Sequence, residues 1–413
     1  MLPSTLKLAV KVLLRRKFFT MISLVGITLT LLVLMTTTAL FDCSFGSYPP
    51  ETKTDRTIGV LSVRMSGPHS IRSGNPGYAL LDRTVRDLPG LEEVSLHTET
   101  SAVTSYPKGV RLNSYLKRTD GAFWRIYTFH FVEGGPYTDE DDKSGNFVAV
   151  INEPTRRAYF GDATALGKTI EVGQQRFRVV GVVEAVPYFR QMVFADVYAP
   201  ITTSPSDTYK REIMGGFHAT LLARSRSDLA EIRREYEARV SRIEIPDPKN
   251  YDRLQSWAET LFEATAREMF SNQFESGRVA GLIGIIVLAM ILFMVLPAIN
   301  LVNLNVSRIM ERASEIGVRK AFGAPRRSLV AQFVAENVLL CLVGGAFALV
   351  LTWVALQVIA ATGVLPYARF GLNLRVFFYG LALSVFFGTL SGVYPAIKMS
   401  RLHPVEALRG ASR

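Results

Sequence analysis

Residues 279–306 read VAGLIGIIVLAMILFMVLPAINLVNLNV, without one charged side chain. A helix needs about 20 apolar residues to cross the hydrocarbon core of a bilayer, and this run is longer than that. Residues 376–397 are equally uncharged. Residues 18–41 are apolar apart from threonines and Ser23, and residues 333–362 are broken only by Glu336. The pattern predicts a membrane protein with four transmembrane α-helices. The first run follows a basic stretch, as a signal peptide would. It is longer than the 7–15 residues of a signal h-region, so it reads as an uncleaved anchor.

The chain carries a formal net charge of +11, which would suit nucleic acid if it were spread evenly. It is not. Lys7, Lys11, Arg15, Arg16 and Lys17 precede the first span, Arg308, Arg312, Arg319, Lys320, Arg326 and Arg327 follow the second, and Lys398, Arg401, Arg409 and Arg413 follow the last. Residues 42–277 hold 29 basic and 32 acidic side chains. Basic residues gather on the cytoplasmic side of membrane helices. Both termini and the 305–328 loop are therefore expected in the cytoplasm, residues 42–277 outside, and no nucleic-acid partner is implied.

The expected order is a cytoplasmic interfacial helix (1–17), first span (18–41), extracytoplasmic domain (42–277), second span (278–304), cytoplasmic loop (305–328), third span (329–362), short outer loop (363–375), fourth span (376–397) and cytoplasmic tail (398–413). The large domain reads as mixed α/β. Strands are expected at 58–65 and in NFVAVIN and RFRVVGVVEAV, and helices in 77–94, ending near Pro89-Gly90, and in 225–243. From about 251, Leu254, Trp257, Leu261, Phe270 and Phe274 recur at helical spacing, and no proline intervenes before Pro297. A stalk helix running from 251 into the second span is expected.

FGDATALGKTIEVG (160–173) resembles a phosphate-binding loop. In G-x-x-x-x-G-K-[ST] backbone amides cradle the phosphates and the lysine reaches the outer ones. Here Gly161 and Gly167 enclose one residue too many. Ile170, Val172, Phe177 and Val179 alternate around Gly173-Gln174-Gln175 as a β-hairpin would, where a helix should begin, so no ATPase activity is expected. The five histidines show no metal-ligand spacing. DEDD (139–142) lacks the glycine and spaced ligands of a calcium loop. Cys43 and Cys341 fall in separate regions and read as unpaired thiols.

SRIMERASEIGVRKAFGAPRRSLVAQFVAEN (307–337) is the most informative cytoplasmic stretch. Glu315 and Arg319 form a favourable i,i+4 pair; Gly323 and Pro325 suit a helix stop followed by a helix start. The segment resembles the cytoplasmic loop of the MacB-like and FtsX-like permeases, the mechanotransmitting type VII ABC transporters, with matches at Glu311, Arg312, Glu315, Ile316, Gly317, Val318, Arg319, Lys320, Ala321, Gly323 and Ala324. SGVYPAIKMSRLHPVEALRG is similar to the family's closing pattern, and AYFGDATALGKTIEVGQQRFRVVGVV to its outer-domain pattern.

The resemblance implies a non-catalytic permease subunit in the bacterial inner membrane. It implies no cofactor in this chain, with ATP and Mg held by a dimer of separate cytoplasmic ATPases. It implies a second permease copy or sibling, surrounding membrane lipid, and room for a periplasmic adaptor. Glu311, Arg312, Glu315, Ile316, Arg319, Lys320 and Gly323 would couple to the ATPase, driving efflux or extraction of an antibiotic, peptide or lipoprotein. An FtsX-like regulator of a cell-wall hydrolase is the alternative, and a membrane sensor without an ATPase a second. Gly277/Gly281 and Gly388/Gly392 are GxxxG pairs that allow close helix packing.

Overall fold

A computed structural model describes residues 17–270, 279–292, 318, 322, 326–363, 367 and 370–400. The chain divides into two compact units, one formed by Asp42–Gly281 with Gly363–Arg369, the other by Met1–Phe41, Leu282–Thr362 and Phe370–Arg413. The described elements in order are α1 (Lys17–Phe45), β1 (Thr57–Ser66), β2 (Ile71–Gly74), α2 (Tyr78–Val85), β3 (Leu91–Thr98), β4 (Ser101–Ser105), β5 (Leu112–Thr119) and α3 (Ala122–Ile126). There follow β6 (Phe131–Gly134), α4 (Asp139–Lys143), β7 (Val148–Asn152), α5 (Glu153–Phe160), β8 (Thr169–Val172), β9 (Gln175–Val183), β10 (Val197–Pro200) and β11 (Phe217–Ala223). The chain continues through α6 (Leu229–Val240), β12 (Arg253–Glu259), α7 (Leu261–Met269), α8 (Val279–Leu292), α9 (Arg326–Ala361) and α10 (Leu374–Ser400).

The first unit is built on one 12-stranded mixed sheet, ordered β12-β1-β11-β3-β5-β10-β7-β9-β6, with β2, β4 and β8 paired alongside. Only β5/β10 and β7/β9 run parallel among the described pairs. At one end α2 and α6 cover the sheet through Leu80, Leu81, Val85, Ile232 and Tyr236, all fully buried against Val60 and Leu221. Deleting such a side chain to alanine costs about 2–5 kcal/mol. In the middle an aromatic cluster of Phe123, Tyr127, Tyr137 and Tyr198 fills the core, and Ile170, Val172, Phe177 and Val179 form a third layer further along.

The hairpin read from alternation is present. Val172 pairs with Gln175, and both turn residues, Gly173 and Gln174, have positive φ (58° and 66°), the pair of values a type I′ turn requires. The helix within 225–243 is also present as α6. Its preceding turn is capped by Ser225 with Asp228 in a reciprocal pair of bonds.

The stalk helix from 251 is not present. Residues 253–259 form β12, antiparallel to β1, and Leu254, Ser256 and Ala258 are buried at a spacing of two. That burial beside β1 overrides the coincidental three- and four-residue spacing of Leu254, Trp257 and Leu261. Helix starts only at Leu261, where Thr260 Oγ accepts from Glu263 N at 3.2 Å and Thr260 N donates to the Glu263 carboxylate at 2.7 Å, a capping box. It ends at Met269, since Phe270 has left helical backbone (φ −97°, ψ 8°). Gly277 lies outside the described residues.

In the second unit, Ile27 and Leu31 of α1 pack on Leu340, Cys341 and Ala348 of α9, with Leu381 of α10 against them. A Cβ at Gly344 would lie 2.8 Å from Ile27, and one at Gly380 2.9 Å from Leu34. Those glycines let the apolar helices approach closely, a role the sequence pattern had given to other glycines. Glu336 is buried in α9 and accepts from Gln332 at 3.0 Å. Among the described residues two helices, Thr20–Phe45 and Val330–Ala361, are long and apolar enough to cross a membrane; Val279–Leu292 and Leu374–Phe386 are shorter apolar helices.

Candidate functional site

Of the residues expected to couple to an ATPase, Glu311, Arg312, Glu315, Ile316, Arg319, Lys320 and Gly323 lie outside the described residues. Between them Val318 and Phe322 are exposed, and Phe322 N donates to Val318 O at 3.1 Å, one helical turn. Gly281 is described, and its close neighbour is the Phe270 ring, 3.4 Å from a Cβ placed there. Gly388 and Gly392 lie within α10.

Lys168 takes no part in a phosphate loop. It precedes β8, is exposed, and holds its ammonium 4.9 Å from the centre of the Phe160 ring. The DEDD stretch is a short helix: Thr138 caps α4 by bonding Asp141, Asp139 pairs with Arg125 at 2.7 Å, and Asp142 accepts from Thr202 N at 3.0 Å. Among the described residues no three His, Cys, Asp or Glu groups gather as metal ligands. Cys43 and Cys341 are buried free thiols.

The polar concentration lies instead where α1 delivers the chain into the outer unit, around a cleft of about 290 Å³ lined by Phe45, Glu51, Lys53, Tyr127, Met192 and Phe262 among others. Arg190, almost wholly buried, donates to Glu51 at 2.8 Å, to Tyr48 O at 3.2 Å and to Gly46 O at 3.0 Å. Thr128 N donates to Pro50 O at 2.8 Å. Phe45, the last residue of α1, meets Phe262 of α7 edge-on, centroids 5.6 Å apart. The segment between α1 and β1 is thus tied to the loop before β10, to the chain after α3 and to α7.

Behind this segment sits an interior basic cluster. Lys117 of β5 is fully buried and donates to Thr98 O and Gln191 O, each at 3.2 Å. Burial pulls its ammonium down to about 7, with Glu99 and Glu51 opposing that shift. His97 and His218 are register partners on β3 and β11, their rings edge to face at 5.8 Å. Burial and then the nearby lysine hold His97 well below the ordinary imidazole range and His218 down at about 3. Burial raises Glu51 against the pull of Arg190. Sequence reading did not find this cluster, because its members stand far apart in the chain and none belongs to a spaced motif. Lys117 holds backbone in place through its bonds to the Thr98 and Gln191 carbonyls.

A second polar knot involves the segment between α9 and α10. Asp196 accepts from Tyr115 N at 2.8 Å, Asn152 at 2.7 Å and Tyr367 OH at 3.0 Å. Tyr367 falls in Gly363–Arg369, the part of the expected short outer loop that belongs to the first unit.

The family model described as MacB-like periplasmic core domain matches residues 20–239, and that described as FtsX-like permease C-terminal matches residues 287–404. The chain belongs to the MacB/FtsX-like ABC transporter permeases. The ABC transporter permease YknZ of Bacillus subtilis (strain 168) is 22% identical over 326 residues, covering 79% of this chain and 77% of YknZ. The macrolide export ATP-binding/permease protein MacB of Bdellovibrio bacteriovorus is 26% identical over 276 residues, covering 66% of this chain and 40% of that protein; the matched region therefore spans less than half of it. The solved periplasmic region of MacB from Actinobacillus actinomycetemcomitans is 16% identical and covers 53% of this chain and 94% of that one, at a TM-score of 0.36. Within this family the chain is a permease subunit, a membrane protein whose large α/β domain is extracytoplasmic.

Proposed function

We propose that this MacB/FtsX-like permease converts ATP hydrolysis on a separate chain into motion of its extracytoplasmic domain. Four spans place both termini and the 305–328 loop in the cytoplasm, as the distribution of basic residues favours. The segment from Glu311 to Gly323 seats on a dimer of ABC ATPases, which holds the ATP and Mg; this chain holds neither. A second permease, identical or a sibling, completes the membrane part. The work done is efflux or extraction of an antibiotic, peptide or lipoprotein.

The observation that carries this reading is the anchorage of α1. Its continuation is gripped by buried Arg190 and its last residue packs on Phe262. A displacement of that helix is passed to the sheet through short polar contacts instead of being lost in a slack linker. No polar lining for a pore is needed in such a scheme, in keeping with the scarcity of charge in the apolar runs.

Affinity purification of the chain from detergent-solubilised membranes tests the proposal. An ABC ATPase in stoichiometric amount, released by disrupting residues 311–324, is the expected result. A preparation free of any ATPase overturns it, and a cell-wall hydrolase bound to the outer domain moves the function to regulation of that enzyme.

A further inference from the structure

Two segments of chain that continue from apolar helices are fastened to one short loop, the connection from β9 to β10. One is the segment leaving α1; the other is Gly363–Arg369, between α9 and α10, which belongs to the first unit. At Arg190 the loop grips the first segment, through the carbonyls of Gly46 and Tyr48 and the Glu51 carboxylate. At its other end the Asp196 carboxylate accepts from the Tyr367 hydroxyl at 3.0 Å, and the Phe194 and Tyr367 rings lie 6.4 Å apart. Tyr367 has a left-handed backbone (φ 59°), which a bulky residue rarely adopts and which surrounding contacts must impose. The loop between these two attachments is folded tightly on itself. Arg190 O accepts from Val193 N at 3.0 Å and Phe194 N at 2.7 Å, and Tyr198 OH donates to Val193 O at 2.7 Å. Asp196 is held in turn by Tyr115 N and Asn152.

We propose that residues 190–196 form a yoke, and that Tyr367 is a positioning residue which ties the segment between α9 and α10 to the segment leaving α1. A domain held at one point can pivot about it. A second attachment, on a separate part of the chain, removes that freedom, so a displacement of either segment is felt by the other. Both grips end on a charged side chain, Arg190 donating to carbonyls and Asp196 accepting from a hydroxyl, and such bonds are the stronger kind. The use of the yoke in passing motion to the sheet rests on the function proposed above. The linkage itself is a property of this chain and needs no ATPase to be measured.

Hydrogen exchange on the full chain in detergent, at one pH, tests it. Tyr367→Phe removes a single hydroxyl. It should speed exchange several-fold in peptides covering 190–196 and, beyond the Arg190 grip, in those covering 44–54, while α6 keeps its wild-type rate. In an Arg190→Gln background the same substitution should add nothing at 44–54, because the connection is already cut; independent sites would instead add. Acceleration confined to 190–196 and the other partners of Asp196, at 113–116 and 150–153, overturns the yoke and makes Tyr367 a local contact. Acceleration that extends to α6 overturns it as well, since the hydroxyl then supports the domain as a whole. If Arg190→Gln fails to fold, Tyr367→Phe with α6 as internal reference decides the matter. An unresponsive 44–54 would leave the ATPase partnership standing, and a preparation free of any ATPase would leave this linkage standing.

Discussion

Phe45 and Phe262 meet edge to face, their centroids 5.6 Å apart and their planes at 88°. Phe45 closes the helix that brings the chain into the outer domain, and Phe262 is the second residue of the helix that follows β12. Such a pair contributes about 0.5–1.5 kcal/mol beyond the area it buries. A double-mutant cycle with Phe45→Ala and Phe262→Ala, followed by denaturant unfolding of the full chain, should return a coupling of that size. Strict additivity would mean that the rings do not support one another.

Removing the guanidinium that grips Glu51 should be far more damaging. Arg190→Met leaves a largely buried carboxylate without its 2.8 Å partner, and breaking a buried pair in this way costs about 3–5 kcal/mol. Adding Glu51→Leu should restore much of the loss in thermal melting, since the uncompensated charge is then gone.

Two buried groups give the outer domain opposite slopes with pH. Asp120 is raised to about 6 by burial, although Ser95, Leu96 N and Phe123 N all donate to it. The folded state therefore binds more protons than the unfolded one between about 4 and 6, and stability falls as pH rises through that window. Lys117 is lowered to about 7, so the unfolded state binds more protons above that value and stability rises toward the ordinary lysine range. Melting of full-length Asp120→Asn should lose the acid slope and Lys117→Met the alkaline one, each relative to wild type.

Lys168→Ala should leave ATPase turnover of the assembled complex unchanged. The lysine covers Phe160 at an exposed position, where a cation–π contact contributes about 0.5–1 kcal/mol. Loss of nucleotide binding by the isolated permease on this substitution would contradict the extracytoplasmic placement of the hairpin.

Glu315→Lys should weaken association with the ATPase and abolish coupled activity while membrane insertion stays intact. Co-purification with the variant at wild-type levels, together with normal function, would remove residue 315 from the coupling surface.

The sequence was legible wherever local chemistry and tertiary packing agree. Gly173-Gln174 between alternating apolar residues could form little but a tight hairpin, and Leu229, Ile232, Tyr236 and Val240 fit one helical face. It misled at 253–259, where a short segment fits two periods and only pairing with β1, nearly two hundred residues earlier, selects the strand. The grip on α1 was invisible for a related reason. Glu51 and Arg190 are separated by 139 positions, and neither side chain looks different from a solvated surface charge until the fold buries it. Lys117 is a similar case: a lysine in a strand ordinarily faces water, and its burial follows from the central place of β5 in the sheet.

The strand order has a consequence for how this architecture tolerates change. β1 and β12, the first and last strands of the outer domain, are antiparallel neighbours, with Gly59 opposite Glu259. Where the chain begins the sheet and where it finishes are thus about 4.8 Å apart, one strand spacing. Everything between them is an insertion hung on a two-strand stem. Strands can be added, lost or exchanged at the far edge, beyond β9 and β6, without altering the separation of the stem. A graft cut just inside the stem, after Ser66 and before Arg253, would carry a foreign domain on the same footing.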